Sequence, residues 1–306
     1  MLLRLGVSTP RRVTPGATYL VTRRCSERRF FLRPGPEVNA IILYCLALAA
    51  TRHGILLHSY GVLSNHYHFV LTDPRGVLPL FAHDFDLLVA RALNARHGHF
   101  EAFWASGTYS AVELTDRDAV LEKIAYVLAN PVSAGLVCRS DLWPGLLSRP
   151  SDIGAPPRVV PRPPQFFRQE GANALPAEVT LELVVPPGFE ELPLEEVRAL
   201  VTARLAEHEE RARREHQGRP FLGRRGVLQQ RVADRPGDHE PHFELNPRVA
   251  GRDKWKRIEA LGRLRAFIAA YRHAWEQLKA GFRAAVFPAG TWKLRRELGV
   301  WCEAPS

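Results

Sequence analysis

The 306-residue sequence predicts an α+β protein, an antiparallel sheet covered by helices, and three observations carry the prediction. Segments with the two-residue period of strands and segments of helical spacing follow one another as strand, helix, strand, strand, helix, strand, helix over the first 130 residues. The two middle strands are separated only by the polar pair Ser64-Asn65, which suits a hairpin and therefore antiparallel pairing. Composition then changes after Trp143, where a Pro-rich stretch gives way to mostly helical sequence.

Each element has a local reason. Residues 17–24, ATYLVTRR, alternate and are β-branched or aromatic, so they read as a strand. After the breaker RPGP, residues 36–53 read as a helix with Pro36 in its first turn. GILLHSYGVLS and NHYHFVLTD form the hairpin arms, and residues 77–97 return to helical spacing and end near Gly98. GTYSAVELT, 107–115, is a further strand. In TDRDAVLEKIAYVLANP, Thr115 is the expected cap, Asp116 and Asp118 complement the helix N-terminus, and Pro131 is expected to force the end. Three units follow: an α+β domain over 1–148, a linker over 149–177 too rich in Pro for a helix or a central strand, and a mainly helical basic region over 178–306. That region is read as a strand over 178–186, a helix over 192–216, a turn-rich stretch to about 250, and a long basic helix over 252–286. Trp255, Phe267, Tyr271, Trp275 and Phe282 are interleaved along the last of these, and packing into a core is the plainer explanation for them than stacking on nucleic acid. The short FLGRRGVLQQR segment is not assigned as a recognition helix.

Hydrophobic residues at 46% and charged residues at 24% are ordinary for a globular chain. The charge balance is not: 42 Lys and Arg against 32 Asp and Glu give +10, with Arg dominant. Guanidinium groups match phosphate oxygens, so the excess suits a nucleic acid, although Arg-favouring codon usage would produce the same count. Cys25, Cys45, Cys138 and Cys302 are scattered without a Cys-x-x-Cys pair, which argues against a disulfide scaffold and a zinc ribbon. The N-terminus lacks the apolar core of a signal peptide, and the apolar run 38–50 is too short to span a bilayer. The expectation is a reduced, cytoplasmic, nucleoid-associated protein with no membrane partner.

The stretch GVLSNHYHFVL, 61–71, carries the candidate chemistry. On a strand His66 and His68 share a face about 7 Å apart, while Tyr67, with Phe69 and Val70, is placed on the opposite face toward helices. Two imidazoles can close on one metal ion, yet two ligands are rarely enough, and an isolated His-x-His is commonly without a ligand. On the helix over 116–130, with Ile124 at zero and about 100° per residue, Val120, Leu121, Val127 and Leu128 fall on the buried face. Tyr126 and Asn130 share the opposite side one turn apart. They are either a solvated pair or a phenol and an amide oxygen presented to a site.

Taken together, SNHYHFVL, WASGTYS and KIAYVLANPVSAGLV…LWP resemble the REP-associated tyrosine transposases, a branch of the single-tyrosine transposases with the His-hydrophobic-His (HUH) motif. The resemblance covers roughly residues 16–148. It implies a ferredoxin-like sheet of the HUH nuclease type, with His66, His68 and Asn130 as metal ligands and Tyr126 as nucleophile. It further implies Mg²⁺ or Mn²⁺, single-stranded DNA beside a hairpin as substrate, a 5′-phosphotyrosine intermediate, and a monomer or homodimer. By the same likeness Arg23, Arg24, Arg28 and Arg29, at the end of the first strand, lie near bound DNA. The chemistry needs such a set: with a pKa near 10, only about one phenol in a thousand is ionised at neutral pH. A divalent cation offsets both that barrier and the repulsion of the phosphodiester. Imidazole ligands favour Mn²⁺ over the harder Mg²⁺. The sequence departs from the family in Tyr67, which adds a hydroxyl between the histidines, and in the second half, which extends beyond the family's short form. Two other readings stand beside this one: a domesticated protein that binds hairpin DNA without cutting it, and a barrel-type zinc hydrolase, which the hairpin and the Pro-rich break disfavour.

Overall fold

The computed structural model describes residues 10–107, 109–165, 167–171, 174–237 and 247–304. The first half contains β1 (Ala17–Arg24), α1 (Pro36–His53), β2 (Leu56–Val62), β3 (His66–Asp73), α2 (Leu78–His97), β4 (Ser110–Leu114) and α3 (Arg117–Ser133). The second contains β5 (Arg158–Pro161), β6 (Glu178–Leu181), α4 (Leu194–Glu215), α5 (Gly223–Gln229), β7 (Val249–Ala250), α6 (Lys254–Lys279), β8 (Val286–Phe287), α7 (Lys293–Leu298) and β9 (Trp301–Cys302). The main sheet has the order β2-β3-β1-β4-β7, antiparallel except for the parallel two-residue β7. The α+β class, the antiparallel sheet and the helical second half are as the sequence predicts. Part of the turn-rich stretch before 250 lies outside the described residues.

Strand alternation divides the sheet into two unlike faces. Tyr19, Val21, Tyr67, Phe69, Leu71 and Ala111 join α1 and α2 in the larger core. Leu20, Val70, Val112 and Leu114 face α3 and α4 in a second core. Val70 therefore shares the face of the histidines, contrary to the expectation that set it with Tyr67: residues two apart on a strand cannot lie on opposite sides.

Helix α1 explains the Pro-rich segment. Residues 41–50 are apolar all round, and a helix of that kind must be covered on every side. One side meets the sheet and α2. Another meets the antiparallel β5–β6 pair, whose Val160, Val179 and Leu181 belong to the same core. Tyr44 donates its hydroxyl to the Pro176 carbonyl at 2.6 Å and stacks obliquely near Phe167. The stretch read as a linker is thus a docked cover, and its strand is the edge type that Pro permits. Nor does the second half stand apart, because β7 extends the main sheet and α4 packs along α3.

Helix α3 departs from expectation at both ends. Its cap is Asp116, whose carboxylate accepts from Ala119 N at 2.7 Å, rather than Thr115. Pro131 lies inside the helix, which runs to Ser133. Proline removes only the bond that its own N–H would give to the Val127 carbonyl, and the Asn130 and Pro131 carbonyls still accept from Ala134 and Leu136. The freed Val127 carbonyl lies over Gly61, which pairs with His68 across β2 and β3. A Cβ at Gly61 would meet Leu147 Cδ1 at 3.0 Å, Val127 Cγ1 at 3.1 Å and Val127 O at 3.2 Å. Glycine therefore sets how closely α3 approaches the histidine strand. Gly61→Val is expected to lift α3 and destabilise the protein by roughly 1–3 kcal/mol, read as a lowered urea midpoint. An unchanged midpoint would show that the helix has room to spare.

Candidate active site

The His66 and His68 rings meet edge to face with centroids 4.8 Å apart, at the end of β3. Each is oriented through Nδ1. Asn65 donates its amide nitrogen to the Arg28 carbonyl at 3.1 Å, which leaves Asn65 Oδ1 to accept from His66 Nδ1 at 2.7 Å. Thr22, opposite His68 in the β1–β3 register, lies 2.7 Å from His68 Nδ1. With the proton on Nδ1, donated to that hydroxyl, the lone pair of His68 resides on Nε2. That nitrogen is buried and has no hydrogen-bond partner. Burial, with His66 and Lys123 close by, holds the imidazole well below its usual pKa, so the ring is neutral at pH 7. An unpaired buried nitrogen costs roughly 1–3 kcal/mol, which suits a position kept for coordination.

Tyr126 of α3 faces this pair. Its ring lies 5.4 Å from that of His68, in edge-to-face geometry. Lys123, one turn earlier, places its ammonium 5.3 Å from the Tyr126 ring centre. Asn130, one turn later, is buried on the same side of the helix. Among the described residues no group of three or more His, Cys, Asp or Glu could hold a metal ion. Thr22, Asn65, Gly61 and Lys123 are not picked out by the sequence. Register would have signalled the first, and the three-residue spacing to Tyr126 the last.

The arginines divide by strand alternation. Arg24 pairs with His66 and so stands on the face of the site. Arg23 points to the other face, where its guanidinium contacts Asp86 at 2.5 Å and lies 5.6 Å from the Trp104 ring centre. Arg28 sits at a positive φ of 59° in the turn after β1, tied to the site through Asn65. Arg29 binds Glu27 at 2.7 Å and the Ala233 carbonyl at 3.3 Å. Tyr67 is fully buried on the Arg23 side and donates to Asp86 Oδ1 at 2.9 Å, and burial raises its pKa well above the phenol value. Its hydroxyl is no rival to Tyr126.

No protein-family model matches the sequence, and no curated protein sequence matches it significantly. Solved structures similar in part include two transposases. A REP-associated tyrosine transposase bound to a REP hairpin aligns at TM-score 0.39 and 15% identity, over 45% of this chain and 80% of that one. A putative transposase from Deinococcus radiodurans R1 aligns at TM-score 0.27 and 20% identity, over 37% and 85%. At these values neither activity transfers to this chain, and function rests on the site. No helix among the described residues is long and apolar enough to cross a membrane.

Burial pushes the Asp86 carboxyl up to about 6, against the pull of Arg23 and Tyr67. The folded state thus holds this proton more tightly than the unfolded chain, whose value is 3.8. The stability it contributes is complete below 3.8 and is lost as pH rises through 6. Relative to the parent, Asp86→Asn is expected to gain about 3 kcal/mol of unfolding free energy between pH 3.5 and 6.5. Denaturant titrations of both proteins at each pH measure that difference, and a flat one would mean an ordinary carboxylate.

Proposed function

We propose that this chain is a metal-dependent, single-tyrosine DNA strand transferase acting on single-stranded or hairpin DNA. One observation carries the reading: Tyr126 stands against His68, whose outward Nε2 is buried and without a partner. His68 Nε2, His66 and the Asn130 amide oxygen would hold the ion, Mg²⁺ or Mn²⁺. When bound, it supplies positive charge that polarises a phosphoryl oxygen. Asn65 Oδ1 keeps the His66 proton on Nδ1, and Thr22 holds the His68 ring through its Nδ1, so that each Nε2 would be free to bind the ion. The Tyr126 oxygen forms a bond to phosphorus and the bond to the 3′ oxygen breaks. The phenol proton ends on that 3′ hydroxyl, so the phosphodiester is exchanged rather than hydrolysed and the reverse step rejoins the strand. Lys123, beside the Tyr126 ring, stabilises negative charge on the attacked phosphate.

Incubating a labelled single-stranded hairpin with the protein and Mn²⁺ tests the reading. A covalent adduct is expected, absent in Tyr126→Phe and slowed at least 100-fold in His68→Ala. Binding without an adduct under any divalent metal would leave only a silent hairpin-binding protein. Thr22→Val is expected to weaken metal affinity about 10–100-fold while leaving Tyr126 in place. In titrations of adduct yield, Mn²⁺ is expected to act at lower concentration than Mg²⁺, and an advantage for Mg²⁺ would contradict an imidazole-rich ligand set.

A further inference from the structure

A second charged feature lies between Glu122, one turn before Tyr126 on α3, and the half of the chain beyond the transposase-like sequence. An open groove of about 610 Å³ is lined by Glu122 of α3, by Arg204, Glu207, Arg211 and Arg214 of α4, and by Arg252 after β7. Glu122 organises one end. It accepts ion pairs from Arg204 at 2.9 Å and Arg252 at 3.2 Å, and a hydrogen bond from His208 at 2.9 Å. At the other end Arg211 and Arg214 are exposed and make no side-chain hydrogen bond or ion pair among the described residues. Four arginines against two glutamates leave the groove cationic, with its uncommitted charge on those two residues.

The groove runs beside the candidate nucleophile. With Ile124 at zero, Glu122 lies near 160° on α3, Tyr126 near 200°, Asn130 near 240° and Lys123 near 260°, at about 100° per residue. Tyr126 thus divides the outer face of the helix, with the groove and α4 on one flank and the histidines with Lys123 on the other. Helices α3 and α4 run in the same direction, since Arg204 meets Glu122 while His216, past the end of α4, meets Gly135. From Arg204 to Arg211 is about 10 Å of rise, which carries the unpaired arginines past the level of Tyr126.

We infer that this groove is a second DNA-backbone site: Arg211 and Arg214 bind phosphates of the strand that passes Tyr126, with Glu122 holding Arg204 and Arg252 as its walls. The inference rests on the strand-transferase reading for its ligand. Guanidinium forks suit phosphates, and an open groove lined by charge without aromatic rings suits a backbone and not bases. The site is therefore indifferent to sequence and sensitive to salt.

Binding of a single-stranded oligonucleotide, measured by anisotropy across a salt series without added metal, tests it. Arg211→Ala/Arg214→Ala is expected to weaken binding roughly tenfold at 0.1 M salt and to lower the slope of log K against log salt by about 1.4, or about 0.7 for each phosphate that is no longer neutralised. Arg211→Lys/Arg214→Lys is expected to restore most of the slope. Both variants should melt with the parent, because neither side chain packs. Parent-like affinity and slope in the alanine variant overturn the inference while leaving Tyr126 chemistry intact. Arginine-dependent binding with no adduct in the hairpin assay upholds the groove and overturns the strand-transferase reading. A parent that binds no single strand overturns the groove.

Discussion

The arrangement depends on one close approach. Helix α3 rests on the sheet at Gly61, beside His68, and a side chain there would meet the Val127 carbonyl at 3.2 Å. That carbonyl is available because Pro131 has no N–H to give it. A proline within the helix and a glycine on the strand thus act together. The contact of Val127 with Gly61 sets the height of the helix, and the height sets the distance between Tyr126 and the histidine rings. A phenol one or two ångströms farther away would lose its edge-to-face contact with His68.

The sheet separates structural from chemical work by strand parity alone. One face buries Tyr67, Phe69 and Phe85 with the Arg23–Asp86 ion pair, a network in which each charged group has a partner. Breaking such a pair leaves a buried charge uncompensated, so it holds one packing in place. The other face carries His68, whose outer nitrogen has no partner, beside Thr22 and Arg24. Adjacent arginines on β1 consequently differ in role: Arg23 serves the core, and Arg24 stands at the site.

The second half completes the first. The β5–β6 pair covers the outer side of α1, β7 extends the sheet edge, and α4 covers α3 and brings its arginines to Glu122. In α6 only Ala260, Phe267 and Ala274 are buried, and Trp255 is exposed, so the aromatic residues along that helix are divided between packing and solvent.

Sequence by itself determined the order of elements in the first half, the hairpin, the shared face of the histidine pair and the helical side shared by Tyr126 and Asn130. These are local facts, set by periods of two and 3.6 residues and by turn chemistry. Only the tertiary structure decided that Tyr126 meets His68, that Thr22 and Asn65 orient the rings, and that the Pro-rich stretch packs against α1. Thr22 and His68 stand 46 positions apart and Tyr44 and Pro176 stand 132 apart, and no local propensity encodes such pairings. The apolar run 41–50 of α1 was a legible sign of a helix buried on every side, but which segment covered it is a matter of register and packing, and those appear only when the chain is folded.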